Sequence, residues 1–338
     1  MTYLEIARMA DVSTATVSRV LSGAGAVSDE RRERVLAAAQ ELSYRGSRAA
    51  RTLRRQKADT IGLIVSDIEY PSVASMARSV ENAAAERGFA LNICNSDEDL
   101  AKERKYINLL IEERVAGLII SPATESYSAL EPLERAGIPV VTLDRRLQDA
   151  RVDSVLLDNQ KATQLLMDDL LRHGHRHFAA VVGTTVATPS RERLETMRAI
   201  VKSVPDATLI IAGSKLGETI GVSHTLETIG PAVTALALSA HPQPTAYVCV
   251  NAIMLTSVMA SLIQEGLRIP QDVAVVGFDD MPGFALFQTP VTVVAQPTQE
   301  LGRLAVQLLF ERIASPTRPH ETILVPPTFV ARASCGHE

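Results

Sequence analysis

Apolar side chains follow two different spacings along this chain. Over residues 4–10, LEIARMA sets Leu4, Ile6, Ala7 and Ala10 near helical spacing; D-V-S interrupts, and T-A-T-V-S-R-V-L resumes with Val17, Val20 and Leu21 on one face. Two short helices joined by a tight turn are expected. Asp11 falls where the turn needs a left-handed residue, which Asp tolerates better than most non-glycines, and the Ser13 hydroxyl can cap the second helix. A third helix is expected after Ser28, whose hydroxyl suits an N-terminus together with Asp29 and Glu30. Val35, Leu36, Ala39 and Leu42 would face the first two helices. Residues 1–44 therefore read as an all-α head containing a helix-turn-helix.

From Thr60 onward the spacing changes to short apolar runs separated by helical stretches: 60–66, 90–94, 117–121, 139–144, 154–158, 178–183, 207–213, 246–251, 273–280 and 291–296. Strands alternating with helices predict parallel sheets covered on both faces, and ten strands suit two lobes better than one open sheet. Ligands of such sheets bind beyond the carboxyl ends of the strands. The residues there are Ser66, Asp67, Asn95, Ser121, Asp144, Asn251, Asp279 and Gln296. Hydroxyl, amide and carboxylate groups of this kind fit a polar, hydroxyl-rich small molecule.

Composition sharpens the division. The 338 residues are 46% hydrophobic and 22% charged, as in ordinary globular proteins, and no apolar run approaches the length of a membrane span. The start of the chain has no basic stretch followed by an apolar core, so a cytoplasmic protein without a membrane partner is expected. The formal charge of -5 hides an asymmetry: residues 1–57 carry 11 basic and 6 acidic side chains, leaving 23 basic against 33 acidic for the rest. A small polyanion-binding module on an acidic body is implied.

Cys94, Cys249 and Cys335 are far apart and odd in number, which disfavours both a disulfide framework and a thiolate metal site. Neither G-x-G-x-x-G nor a Walker lysine motif occurs, so nucleotide chemistry, a catalytic set and a cofactor are not expected. In H173-G-H-R-H177 the glycine breaks the helix that would bring the first and last imidazoles together, so no metal is expected there.

In a helix-turn-helix the first turn of the second helix meets base edges in the major groove, which would expose Thr14, Ala15, Ser18 and Arg19 to DNA. Arg19 alone of these can fork onto guanine O6 and N7. The blocks A-D-V-S-T-A-T-V-S-R-V-L-S (10–22), V-S-D-E-R-R-E-R-V-L-A-A-A-Q-E-L-S-Y (27–44) and R-A-A-R-T-L (48–53) resemble the DNA-binding head and hinge of the lactose- and galactose-repressor family. The likeness continues through D-N (158–159), G-H-R (174–176), P-Q-D-V-A-V-V-G-F-D-D (270–280) and A-R-A-S (331–334).

This resemblance implies a two-lobed, periplasmic-binding-protein-like α/β body crossed three times by the chain. It also implies DNA contacts from Ser13, Thr14, Ala15, Thr16, Ser18 and Arg19. The basic segment 45–58 would become a hinge helix in the minor groove, with Ser47, Arg48, Ala50, Arg51, Leu53 and Arg54 at the DNA and Leu53 as a wedge. Arg193, Asn251 and Asp279 match the family's commonest effector contacts. With Asp67, Asn95, Asp144 and Gln296 they make the expected effector set.

Some positions depart from the family's pattern. Gly46-Ser47 stands for Pro-Asn, Asn251-Ala252 for Asn-Asp, Thr196-Met197 for Gly-aromatic, and Ser72 and Val73 for aromatic residues. The expected organisation is a head (1–44), a hinge (45–58) and an effector-binding and dimerisation body (59–338). Its first lobe is placed at about 59–159 and 291–325, and its second at about 160–290 plus the C-terminal tail. With no leucine heptad after Arg332, a homodimer on near-palindromic double-stranded DNA is expected, answering to a small polar effector, a sugar or sugar derivative. A solute-binding module, or a regulator answering to a non-sugar ligand or a protein, is the alternative.

Overall fold

The computed structural model describes residues 2–22, 27–42, 59–148, 152–183, 187–213 and 222–336. Two compact units divide after Ala58.

The first unit has three helices: α1 (Tyr3–Met9), α2 (Thr14–Ser22) and α3 (Asp29–Glu41). Asp11 turns the chain between α1 and α2 with a left-handed φ of 49°, and Ser13 Oγ accepts the Thr16 amide at 3.1 Å. One donor that the helix itself leaves open is thereby satisfied. Ile6, Ala7, Ala10, Val17, Val20, Val35, Ala38 and Ala39 form the core. Leu4 and Leu36, expected inside, are 52% and 50% exposed, and Ala38 takes the inner position on α3. In helices this short, several apolar residues satisfy the spacing while only one stripe meets a neighbour. Ser28 stands at the N-cap of α3 without a side-chain capping bond.

The second unit consists of two six-stranded sheets. The first contains β1 (Thr60–Val65), β2 (Ala90–Asn95), β3 (Leu118–Ile120), β4 (Val140–Leu143), β5 (Asp153–Leu157) and β11 (Thr322–Val325), in the order β11-β5-β4-β3-β1-β2. All its pairings are parallel. The second contains β6 (His177–Val181), β7 (Thr208–Ala212), β8 (Ala246–Cys249), β9 (Ala274–Phe278), β10 (Thr292–Ala295) and β12 (Thr328–Val330), in the order β12-β10-β9-β8-β6-β7. Only β12 runs antiparallel, beside β10.

The sequence-based boundary at 291 is therefore corrected: β10 pairs with β9 in the second sheet, and the chain returns to the first lobe only with the helix that follows β10. An apolar run carries no label for the sheet it joins. β11 and β12 went unforeseen because both are short and partly exposed, with Pro326 and Pro327 between them.

Helices cover both faces of each sheet. In the first lobe, α4 (Pro71–Ala85) packs on the long C-terminal helix Thr298–Ala314, burying Val73, Met76, Ala77 and Val80 against Leu301, Ala305 and Leu308. A Cβ on Gly302 would lie 2.9 Å from Met76 O and 2.6 Å from Ser79 Cβ, so this close helix approach requires glycine. α5 (Leu100–Glu112) begins at Asp99, whose carboxylate accepts the Ala101 and Lys102 amides, and α6 (Glu131–Arg135) precedes β4. In the second lobe, α7 (Asn159–Arg172), α8 (Thr188–Ser203), α9 (Val222–Leu238) and α10 (Ala252–Gln264) enclose the sheet; the Thr298–Ala314 helix is α11.

Asp158 and Asn251 cap α7 and α10 by accepting the amides of Lys161 and Met254, each at 2.8 Å. The chain passes between lobes after β5, after β10 and between β11 and β12. The carboxyl ends of the parallel strands border a shared cleft.

Candidate functional site

In the head, Ser13 before α2, Thr14 and Ala15 in its first turn and Arg19 in its last are exposed side chains, with Ser18 half-buried. Val17 and Val20, on the opposite side, anchor the helix in the core. Thr16 is half-buried and its hydroxyl lies 3.0 Å from Ser13 Oγ, so it completes the helix start. The hinge residues Ser47, Arg48, Ala50, Arg51, Leu53 and Arg54 lie outside the described residues.

In the body, a cavity of about 750 Å³ lies between the lobes. Asp67, Asn95, Asp144, Arg193, Asn251, Asp279 and Gln296 all line it, as does Ser66. Ser121 does not; its hydroxyl donates to Leu143 O at 2.8 Å inside the first lobe. Asn95 works within the rim: Oδ1 accepts the Ile68 amide at 3.1 Å and Nδ2 donates to Asp97 Oδ1 at 2.5 Å. Asn251 Oδ1 is committed to capping α10.

Asp144 and Asp279 share a further feature. Each follows the last residue of a strand and adopts a left-handed backbone, with φ of 66° and 70°. That conformation costs a non-glycine residue about 1 kcal/mol or more, and its persistence at two cleft carboxylates is typical of functional positions. Arg193 is buried from α8. Its Nε donates to Asn159 Oδ1 at 2.8 Å, its Nη1 to Val250 O at 2.6 Å, and its guanidinium stacks 3.9 Å from the Phe278 ring centroid.

Burial pushes the guanidinium's pKa down, while the charges of Asp279 and Asp144 pull it back up. Burial likewise raises the Asp144 carboxyl, against the opposing charges of Arg193 and Arg145. Burial is also the main cause raising Asp67.

Four buried atoms on described lining residues have no protein hydrogen-bond partner: Asp144 Oδ1, Arg145 Nε, Arg193 Nη2 and Gln296 Oε1. Gln296 Nε2 is occupied, donating to Asp279 Oδ1 at 2.6 Å. A buried polar atom left unpaired costs about 1–3 kcal/mol, so two acceptors and two charged donors on residues that line a common cavity suit a ligand that both donates and accepts. Ser72 and Val73 also line the cavity, and Tyr70 is the only aromatic residue among its described lining.

Sequence reasoning missed Asp97 and Glu98 in the loop after β2, Lys102 in the first turn of α5 and Arg145 after β4, which join the lining. Lys102 pairs with Asp97, and Arg145 Nη2 with Glu98 Oε1 at 2.5 Å. Position after a strand was the available signal for Arg145, which directly follows Asp144.

The histidines of 173–177 diverge. Gly174 leaves the helix with φ of 88°, His175 Nδ1 lies 2.9 Å from Thr245 Oγ1, and His177 Nδ1 lies 3.0 Å from Thr208 Oγ1. His173 Nδ1 approaches Asp169 O at 2.9 Å; Asp169, with Arg172 on one oxygen and Cys335 Sγ 3.1 Å from the other, completes a local polar cluster. All three cysteines are buried and free. No described helix is long and apolar enough to cross a membrane.

The family model "Bacterial regulatory proteins, lacI family" matches residues 2–47, and "Periplasmic binding protein-like domain" matches residues 167–335. The chain is 31% identical to the HTH-type transcriptional repressor PurR of Aliivibrio fischeri, over 99% of this chain and 98% of that protein. It is 32% identical to the ribose operon repressor of Escherichia coli, over 98% of this chain and 99% of the relative.

Among solved structures, the lac repressor dimer bound to operator and the anti-inducer ONPF aligns with a TM-score of 0.78 at 24% identity, covering 99% of both chains, a likeness of fold. A LacI family transcriptional regulator from Enterococcus faecium with bound ribose aligns at 0.71 and 26% identity, covering 81% of this chain and 98% of that one. Full-length identity to repressors, the matched head and the two-lobed fold agree, and this chain belongs to the lacI family of bacterial regulatory proteins.

Proposed function

We propose that this protein is a sequence-specific DNA-binding transcriptional regulator, a repressor, whose operator affinity is set by a small polar effector held between the lobes. It acts as a regulator and not as an enzyme. The head (1–44) reads near-palindromic double-stranded DNA as a homodimer through Ser13, Thr14, Ala15, Ser18 and Arg19, with Thr16 setting the helix start. The hinge (45–58) follows into the minor groove. The body (59–338) binds the effector through Asp67, Asn95, Asp144, Arg193, Asn251, Asp279 and Gln296.

The observation that carries the effector reading is the set of unpartnered buried atoms, Asp144 Oδ1, Arg145 Nε, Arg193 Nη2 and Gln296 Oε1, on residues that line one cavity. Neighbouring hydroxyls of a sugar can donate to the carboxylate and amide oxygens while accepting from the guanidinium. A flat aromatic ligand would find only Tyr70 to stack on among the described lining. The ribose operon repressor among the relatives and the ribose-bound structural neighbour favour a sugar of this size.

The test is thermal unfolding of the full chain with D-ribose, D-xylulose, cellobiose or adenine. One of the sugars should raise the melting temperature in proportion to its occupancy, with adenine inert. Stabilisation by adenine alone would reverse the assignment.

A further inference from the structure

Four polar contacts tie the two lobes along one edge of the cleft, and two more within the second lobe carry them to the effector arginine. From the first lobe come Glu125, after β3, and Arg146, after β4; from the second come Asn159 of α7 and Thr188, Arg191, Glu192 and Arg193 of α8. Thr188 Oγ1 donates to Glu125 Oε1 at 2.8 Å, and Arg191 Nη2 donates to the same oxygen. The Arg146 amide donates to Thr188 Oγ1 at 3.2 Å, and Arg146 Nη2 lies 2.8 Å from Glu192 Oε1. The other Glu192 oxygen accepts from Asn159 Nδ2 at 3.0 Å, and Asn159 Oδ1 accepts from Arg193 Nε at 2.8 Å.

Three consecutive residues of α8 thus face three partners. Arg191 meets a first-lobe carboxylate, Glu192 a first-lobe guanidinium, and Arg193 the cavity. The two carboxylates are mostly buried, with side-chain exposures of 14% for Glu125 and 19% for Glu192, so these pairs are screened less than ordinary surface pairs. Burial alone would raise the Glu125 carboxyl, but hydrogen bonds from Arg191, Thr188 and Gln148 hold it below its ordinary range.

Taking the cleft as an effector site, we propose that Glu125 with Arg191 and Thr188, and Glu192 with Arg146 and Asn159, form an interlobe latch that holds the lobes at one closure angle and seats Arg193 at that angle. Rotation of the lobes about their crossovers separates Glu125 from Thr188 and Arg191, and Arg146 from Thr188 and Glu192. The latch therefore weights one closure state, and a ligand that needs Arg193 in its present position binds that state better. This is the differential affinity that a ligand must have to shift a conformational equilibrium. Glu125, Arg146, Asn159 and Glu192 act here as positioning residues, since their effect on the ligand passes through Arg193 and the closure angle.

The test uses the full chain without ligand and reads amide exchange by mass spectrometry in the segments around Arg146 and Thr188, with small-angle scattering for lobe separation. Arg191→Glu, which sets two carboxylates together, should speed exchange in both segments at least tenfold and enlarge the scattering radius. The exchanged pair Glu125→Arg with Arg191→Glu should return exchange to within about twofold of the wild type. Removing the link with Arg193→Met should loosen the same segments severalfold, although Arg193 touches neither Glu125 nor Arg146.

A single variant as protected as the wild type, a swapped pair as exposed as the single variant, or an inert Arg193→Met would each overturn the latch. A fall in rescue caused by misfolding is recognised by the melting temperature of the swapped pair, and Arg146→Glu with Glu192→Arg then serves as the second swap, with the same outcomes. Because the readout needs no ligand, it stands or falls apart from the effector reading. D-ribose added to the wild type reports on that reading separately.

Discussion

Replacing Asp144 by Asn changes a carboxylate into an amide of nearly the same shape and keeps a residue that tolerates the left-handed backbone at φ 66°. The stability of the unliganded protein should barely suffer. Asp144 Oδ1 has no protein partner to lose, and burial already pushes the carboxyl above its ordinary range against the pull of Arg193 and Arg145. Because the folded pKa lies above the unfolded one, the favourable contribution of Asp144 is complete below about 3.9 and is lost as pH rises through the raised value.

The amide does not titrate, so the variant should gain on the wild type across that window and be within about 1 kcal/mol of it, or more stable, at pH 7. Effector binding should respond in the opposite sense. A hydroxyl bonded to a carboxylate contributes about 1.5–3 kcal/mol, so its loss predicts affinity lower by roughly 10- to 150-fold. Thermal unfolding from pH 4 to 8 and calorimetric titration with the stabilising sugar measure both quantities. Unchanged affinity would refute the placement of the ligand. A stability loss above about 3 kcal/mol would instead make Asp144 the structural counter-ion of Arg193.

The other expectations concern the head, the hinge and protons. Arg19→Ala should cost about 1–3 kcal/mol of discrimination between operator and random DNA if Arg19 forks onto guanine, and gel-shift titrations showing equal loss on both would reduce it to a phosphate contact. Leu53→Ala should reduce operator bending and central-step preference while leaving the salt slope near the wild type's, because phosphate neutralisation by the surrounding arginines is indifferent to sequence. Ser13→Ala removes the bond from Thr16 N and should destabilise the head by about 1 kcal/mol, read by chemical denaturation. Since hydroxyl donors favour the ionised Asp144, effector binding should release protons and weaken as pH falls through the raised Asp144 pKa; titration heats independent of buffer would contradict this.

Local chemistry was the legible part of this chain. Asp11 and Ser13 announce the turn and cap between α1 and α2 because both act within three residues of themselves. The strand-end rule brought Asp67, Asn95, Asp144, Asn251, Asp279 and Gln296 to a single cavity, since all parallel strands point their carboxyl ends the same way. Arg193 came only from the family resemblance, because it sits in mid-helix where no strand end marks it.

What stayed hidden depends on long-range packing. Glu125 and Arg191 are 66 residues apart and meet only once both lobes are assembled. Helical spacing made Leu4 and Leu36 core candidates, yet both are about half exposed, at 52% and 50%. The Thr292–Ala295 run reads as a buried strand in either lobe, and the ladder to β9 decides which.

The central claim is tested most directly by fluorescence anisotropy of the full chain on a selected near-palindromic duplex and on its scrambled counterpart. The titrations are run at one salt concentration, with and without the sugar that stabilises the fold. The account predicts two chains per operator, affinity at least about a thousandfold above the scrambled duplex, and a severalfold or larger change on adding the sugar that is lost in Asp144→Asn. Equal affinity for the two duplexes, or operator binding that no such sugar alters, would contradict it.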